Sequence, residues 1–137
     1  TASAEVLSSL TVTSTSDLQF GQIAVNTGGS VTVNADSTVS SSGSLVSTGT
    51  RAPAAFSITG TPNTSVLVSL PTTSVNLTRS GGTETMVLSG FNSNPNGAFQ
   101  LDSTGAASFN VGGTLAVASG QVAGAYSGTF QVSVEYQ

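Results

Sequence analysis

The chain contains no cysteine, histidine, lysine or tryptophan. Without cysteine there are no disulfides, no thiol nucleophile and no thiolate metal site. Without histidine or lysine, general acid–base chemistry would fall to Asp, Glu or Tyr, and none of the 24 serines has an imidazole or amine to activate it. The acids Glu5, Asp17, Asp36, Glu84, Asp102 and Glu135 lie far apart and form neither a D-x-D nor an EF-hand pattern. A glycosidase-type carboxylate pair would have to assemble in space from these scattered groups. These absences predict a non-enzyme that needs neither cofactor nor metal.

Charge is as scarce as reactive side chains. Only 6% of residues are charged, against roughly 25% in ordinary soluble domains. Six acids face only Arg51 and Arg79, for a net charge of −4. Nucleic-acid binding needs several cations along one face to release counterions, so no nucleic-acid partner is expected. The same shortage excludes an anionic membrane as the main partner. No apolar run approaches the ~20 residues of a membrane-spanning helix, so no direct membrane insertion is expected. Sugar-binding modules offer exposed aromatic platforms, and here most of the six Phe and two Tyr fall at core-parity positions. Asn63-Thr64-Ser65 and Asn76-Leu77-Thr78 match the glycosylation sequon, a pattern that recurs by chance in so Ser/Thr-rich a chain.

What is present is Ser, Thr and Gly, at 24, 20 and 16 residues, combined with 37% apolar residues. Disorder would bring few aliphatics and a high net charge, whereas Val, Ile, Leu and Phe here recur at strand spacing. At 137 residues the chain is one domain with room for a core. Strands are predicted over 10–14, 30–35, 54–60, 65–71, 74–78, 83–91, 107–118 and 125–137, separated by turns at 60–65 and 92–97. The stretch 37–49 has little to bury and reads as a weak edge strand or a loop, and "SGG" (80–82) and "VGG" (111–113) read as turns. No sustained helical period appears, and no fixed repeat supports a solenoid. The pattern predicts an all-β antiparallel sandwich.

In "DLQFGQIAV" (17–25), Leu18 and Phe20 share one parity and Ile23 and Val25 the other. A bulge at Gly21 would turn both pairs to the core. An ordinary strand-to-strand corner fits equally well.

The two ends are the most regular parts. In "AYSGTFQVSVEYQ" (125–137), Tyr126, Gly128, Phe130, Val132, Val134 and Tyr136 lie on one face, with Ser133 and Glu135 on the other. In "TASAEVLSSLTVTS", Ala2, Ala4, Val6, Ser8, Leu10 and Val12 alternate with mostly Thr, Ser and Glu, Leu7 excepted. Both segments lack the lysine or proline that normally blocks a free sheet edge, which makes sense if they pair with another chain. The opening Thr1-Ala2-Ser3-Ala4 reads as a mature product after signal-peptide removal, and the composition points to an extracellular surface protein.

"LQFG" near the N-terminus and "GQVAGAYSGTFQVSVEY" at the C-terminus resemble the pilins of archaic chaperone–usher fimbriae and the spore-coat-U-like proteins. Most of the chain also resembles a family of uncharacterised bacterial secreted domains, through the opening strand, a "DLxFG" motif, "FSITG" (56–60) and an "AGxYxGTFxVxVxY" ending. Spore-coat-U-like members commonly carry a disulfide near the first strand, and this chain has none.

The resemblance implies an incomplete immunoglobulin-like sandwich, completed by a donor strand from a neighbouring subunit. It implies residues 1–9 as the donor extension and 10–137 as the pilin domain. Ala4, Val6, Ser8 and Leu10 would then be donor residues, Tyr126, Phe130, Val132, Val134 and Tyr136 the acceptor wall, and Leu18, Phe20 and Gly21 the core and bend. Its implied partners are identical subunits head-to-tail, a periplasmic chaperone and an outer-membrane usher, and its location a cell-surface fibre for adhesion or biofilm. The alternative is a self-contained secreted β-sandwich whose N-terminal strand folds back into its own sheet.

Overall fold

The computed structural model of the protein describes residues 2–95, 97–122 and 124–137, without the side chains of 24–27 and 44–47. Among the described residues there is no helix, and all strand pairing is antiparallel. The strands in chain order are β1 (Thr11–Ser16), β2 (Gln19–Val33), β3 (Val39–Ala52), β4 (Ala54–Thr59), β5 (Ser65–Ser69) and β6 (Val75–Arg79). They continue with β7 (Thr85–Asn94), β8 (Ala98–Gln100), β9 (Ala106–Val117), β10 (Tyr126–Ser127) and β11 (Ser133–Tyr136).

β9 organises the larger sheet. Its first half, Ala106–Val111, pairs with β4, and its second half, Gly113–Val117, pairs with β2 on the same side. β7 runs along its other edge, followed by β6 and β10, while β1 extends β4 and β3 extends β2. The handover from β4 to β2 occurs at Gly112, where an added Cβ would collide with the Val33 carbonyl. "VGG" is therefore not a turn. Both glycines lie inside the central strand: the chain following β2 crosses close above Gly112, and Gly113 stands against Leu88 and Ser89 of β7.

The two halves of β9 carry two apolar clusters. Phe109 and Val111 join Ala54, Ile58, Val66, Val68 and Leu101, with the rings of Phe56 and Phe109 stacked at 5.0 Å across the β4–β9 ladder. Leu115 and Val117 join Phe20, Val31, Val33 and Leu88, and Leu115 sits between its cross-strand partners Val31 and Leu88. The smaller sheet, β11-β5-β8, supplies Val66, Val68, Phe99, Val134 and Tyr136 to the first of these clusters. Among the described residues it supplies nothing to the second. Half of the larger sheet is thus faced by a partner sheet and half is not.

Several further elements differ, wholly or in part, from the sequence reading. Of the stretch 37–49, residues 39–49 belong to the 14-residue strand β3, which pairs only with β2, so the edge-strand alternative holds and the loop does not; the β2–β3 ladder shifts at Phe20/Gln22 and Val25/Gly29. Residues 2–10 form no strand, although they alternate, because no neighbouring main chain pairs with them. The terminal strand is also interrupted: β10 pairs with β6 in the larger sheet, 128–132 are outside any strand, and β11 pairs with β5 in the smaller sheet. Burial still alternates without a break from Tyr126 to Tyr136 wherever a side chain is present. The turn at 92–97 is shorter than its sequence signal, since β7 runs to Asn94 and β8 starts at Ala98; Asn96 lies outside the described residues.

At Gly21 the β2–β3 ladder shifts, with Phe20 opposite Arg51 and Gln22 opposite Thr48. Gly21 has φ 75°, a left-handed conformation that costs other L-residues about 1–2 kcal/mol, and a Cβ there would meet the Thr48 carbonyl. The bulge turns Leu18, Phe20 and Ile23 toward the same cluster despite their different parity. The side chain of Val25 lies outside the described residues.

Candidate functional site

Where the larger sheet has no facing sheet, a cleft of about 1370 Å³ opens. Its floor is Leu77 and Met86 from β6 and β7, with Leu88, Leu115 and Val117 beneath. Leu18, Phe20 and Gly21 form one wall, and 124–130 form the other, with Tyr126 and Phe130 lining it. The floor is apolar because strand alternation directs the inward residues of β6, β7 and β9 to one face. Leu77 and Met86 are half-buried there, since among the described residues the smaller sheet supplies nothing to this cluster, while Leu88, Leu115 and Val117 are buried.

Val132, Val134 and Tyr136 belong to the opposite end of the sandwich. They are half-buried against the Phe109 cluster, whereas Ser133 and Glu135 are exposed. Phe130 bridges the two ends: it touches both clusters, and its ring lies 5.1 Å from Phe91 and 6.5 Å from Phe56. The segment 128–132, between the two short C-terminal strands, has alternating burial but no ladder partner among the described residues. β11 itself is the edge of its sheet.

The N-terminal residues are divided. Residues 2–9 are exposed, Val6 at 95% and Leu7 at 38%. Ser8 is tied to its own domain through Thr61 and Tyr136, and Leu10 packs against the Phe109 cluster. Ala4 and Val6 therefore lie on a free arm, whereas Ser8 and Leu10 lie at its root. Sequence alternation gave no sign of this division, because the Ser8 contacts come from residues far away in the chain.

The rim by β10 is held by an ion pair. Arg79 donates from Nε to Glu84 Oε2 and from Nη2 to Oε1, both at 2.8 Å, and pairs through its backbone with Tyr126. These hydrogen bonds from Arg79 hold the Glu84 carboxyl at about 2, below its ordinary 4.5. A lowered carboxylate pKa contributes stability that is complete above pH 4.5 and lost as pH falls through about 2. Asp36 and Asp102 are also lowered, first by side-chain hydrogen bonds from Thr38 and Thr104. Melting temperature is therefore expected to fall on acidification below pH 4.5. Glu84→Gln should be less stable than wild type at neutral pH and show a shallower acid decline. Parallel pH–melting curves for the two proteins would contradict this role of the pair.

No three His, Cys, Asp or Glu side chains among the described residues come together as a metal site. The cleft has an apolar floor and a rim that includes Ser14, Ser16, Asp17, Gln22, Gln121 and Thr129. No curated protein and no solved structure matches the chain. Residues 10–136 match the family described as "Domain of unknown function (DUF4402)", and the match begins where the exposed N-terminal arm ends. The chain belongs to that DUF4402 family.

Proposed function

We propose that this protein is a structural pilin subunit that polymerises head-to-tail by strand donation, the arm of one copy filling the cleft of the next. The observation that carries the reading is the cleft with an apolar floor bordered by 128–130, the start of a segment patterned as a strand and without a ladder partner among the described residues. A strand laid along 128–132 and the free edge of β11 would extend the smaller sheet over the half-buried Leu77 and Met86 of the cleft floor. The exposed arm offers Ala2, Ala4 and Val6 on one face. Its six residues, 2–7, reach ~20 Å when extended, enough to run beside the five of 128–132. Main-chain pairing would supply attachment and the alternate side chains specificity, the general logic of β-augmentation.

In this reading the sandwich is immunoglobulin-like and incomplete until the donor arrives. A periplasmic chaperone protects the open cleft, an outer-membrane usher exports the subunits, and the product is an extracellular fibre for adhesion or biofilm. The protein is neither an enzyme nor a metal or cofactor carrier. The donor is shorter than residues 1–9, because Ser8 is already engaged by its own domain.

Unheated detergent gels of the purified protein should give a ladder of polymers that collapses to monomer on boiling. Deleting residues 1–7 should abolish the ladder while leaving a chain that folds when a donor peptide is tethered to it. A single monomer peak on size exclusion, with residues 2–7 protected from hydrogen exchange, would instead identify a self-contained secreted module.

A further inference from the structure

We infer that Tyr136 is the positioning residue of the N-terminal arm: its phenol hydroxyl fixes the arm's root at Ser8 and so sets where the free arm begins and the direction in which it leaves. The Tyr136 hydroxyl donates to the Ser8 carbonyl at 2.7 Å and accepts from the Thr61 amide at 2.9 Å. It also lies 3.2 Å from Thr61 Oγ1, which accepts from the Ser8 amide at 2.8 Å. Both main-chain groups of Ser8 are thereby held, one by each of two residues distant in sequence.

The geometry around the hydroxyl leaves no slack. A Cβ on Gly60 would stand 2.6 Å from the Tyr136 hydroxyl and 3.0 Å from Leu10 Cδ1, so a side chain there would displace the ring tip or Leu10. The ring is located independently of the latch. It is half-buried against the Phe109 cluster, and its backbone pairs with Val66. Packing thus places the ring, while the hydroxyl is left to act on Ser8 and Thr61. N-terminal to this point residues 2–7 are all exposed, and C-terminal to it Leu10 packs and β1 begins pairing at Thr11.

The consequence for a fibre rests on the strand-donation reading. An arm clamped at Ser8 withholds Ser8 and the residues after it from donation and holds successive subunits at a defined angle. An arm free back to Leu10 would make a looser joint.

Site-resolved hydrogen exchange on the full chain, as purified, tests the latch in wild type, Tyr136→Phe and Thr61→Val. In wild type the Ser8 and Thr61 amides should exchange slowly. Tyr136→Phe should speed both about tenfold, the effect of losing roughly one hydrogen bond. The Val68 and Leu101 amides, bonded to Gly97 and Thr64, should not change. Thr61→Val should free the Ser8 amide alone. Should Tyr136→Phe loosen the Val68 control as well, Thr61→Val decides the matter. A wild-type Ser8 amide as fast as that of Ala4, or one unmoved by both substitutions, would overturn the inference. Protection across 2–7 reports strand donation in a polymer and a self-contained fold in a monomer, whereas protection at Ser8 and Thr61 reports the latch, so either can fail without the other.

Discussion

Val6→Asp is expected to leave the domain folded and to abolish its polymer. Val6 is 95% exposed and adds nothing to either core cluster, so a substitution there should change the domain's own stability by no more than about 0.5 kcal/mol. In the cleft of a neighbour the same position would lie among side chains such as Leu77 and Met86. Burying an unpaired carboxylate there costs several kcal/mol. Even about 4 kcal/mol weakens association roughly a thousandfold. Ser3→Asp, on the opposite face of the arm, should be close to silent. The checks are thermal unfolding followed by circular dichroism and the unheated gel ladder. A lower monomer melting temperature in Val6→Asp, or an intact ladder, would mean that Val6 does not enter a partner.

Phe130→Ala should produce the larger loss of stability. Phe130 is the side chain of the C-terminal segment that touches both clusters, and its ring stands against Phe91 and Phe56. Truncating a core Phe costs about 3–5 kcal/mol, and the low end applies because this ring is half-buried beside the open cleft. About 3 kcal/mol corresponds to a fall in melting temperature of about 10 °C in a domain of this size. Gln131→Ala, at an exposed neighbour, should move it by no more than a degree or two. Equal effects at 130 and 131 would refute the face assignment of the segment.

The difference between what the residues announce and what they conceal has a simple physical origin. Alternation reports which side chains share a face, so the inward set Phe130, Val132, Val134 and Tyr136 was legible, as were most strands with apolar periodicity. Alternation does not report whether a neighbouring main chain is present. For that reason 2–10 and 128–132 read as strands although neither is paired, and 37–49 read as weak although β2 pairs most of 39–48. "VGG" misled for a related reason: glycine marks both a turn and a strand closely approached by another backbone, and only the path of Val33–Ala35 separates the two. The cleft floor at Leu77, Met86 and Leu88 carries ordinary core residues. Nothing in their identity tells that the sheet above them stops short.

The absence of cysteine makes one measurement decisive, because introduced pairs meet no competing thiol. Val6→Cys combined in turn with Ile23→Cys, Leu77→Cys or Met86→Cys places one thiol on the arm and one in the cleft. If the arm of one subunit fills the cleft of the next, mild oxidation of at least one pair must give a reducible ladder of covalent multimers on a boiled gel. The single-cysteine proteins should give dimers at most. Cross-linked monomer without a ladder would show the arm folding into its own cleft, and no cross-link in any pair would show that the arm does not enter the cleft at all.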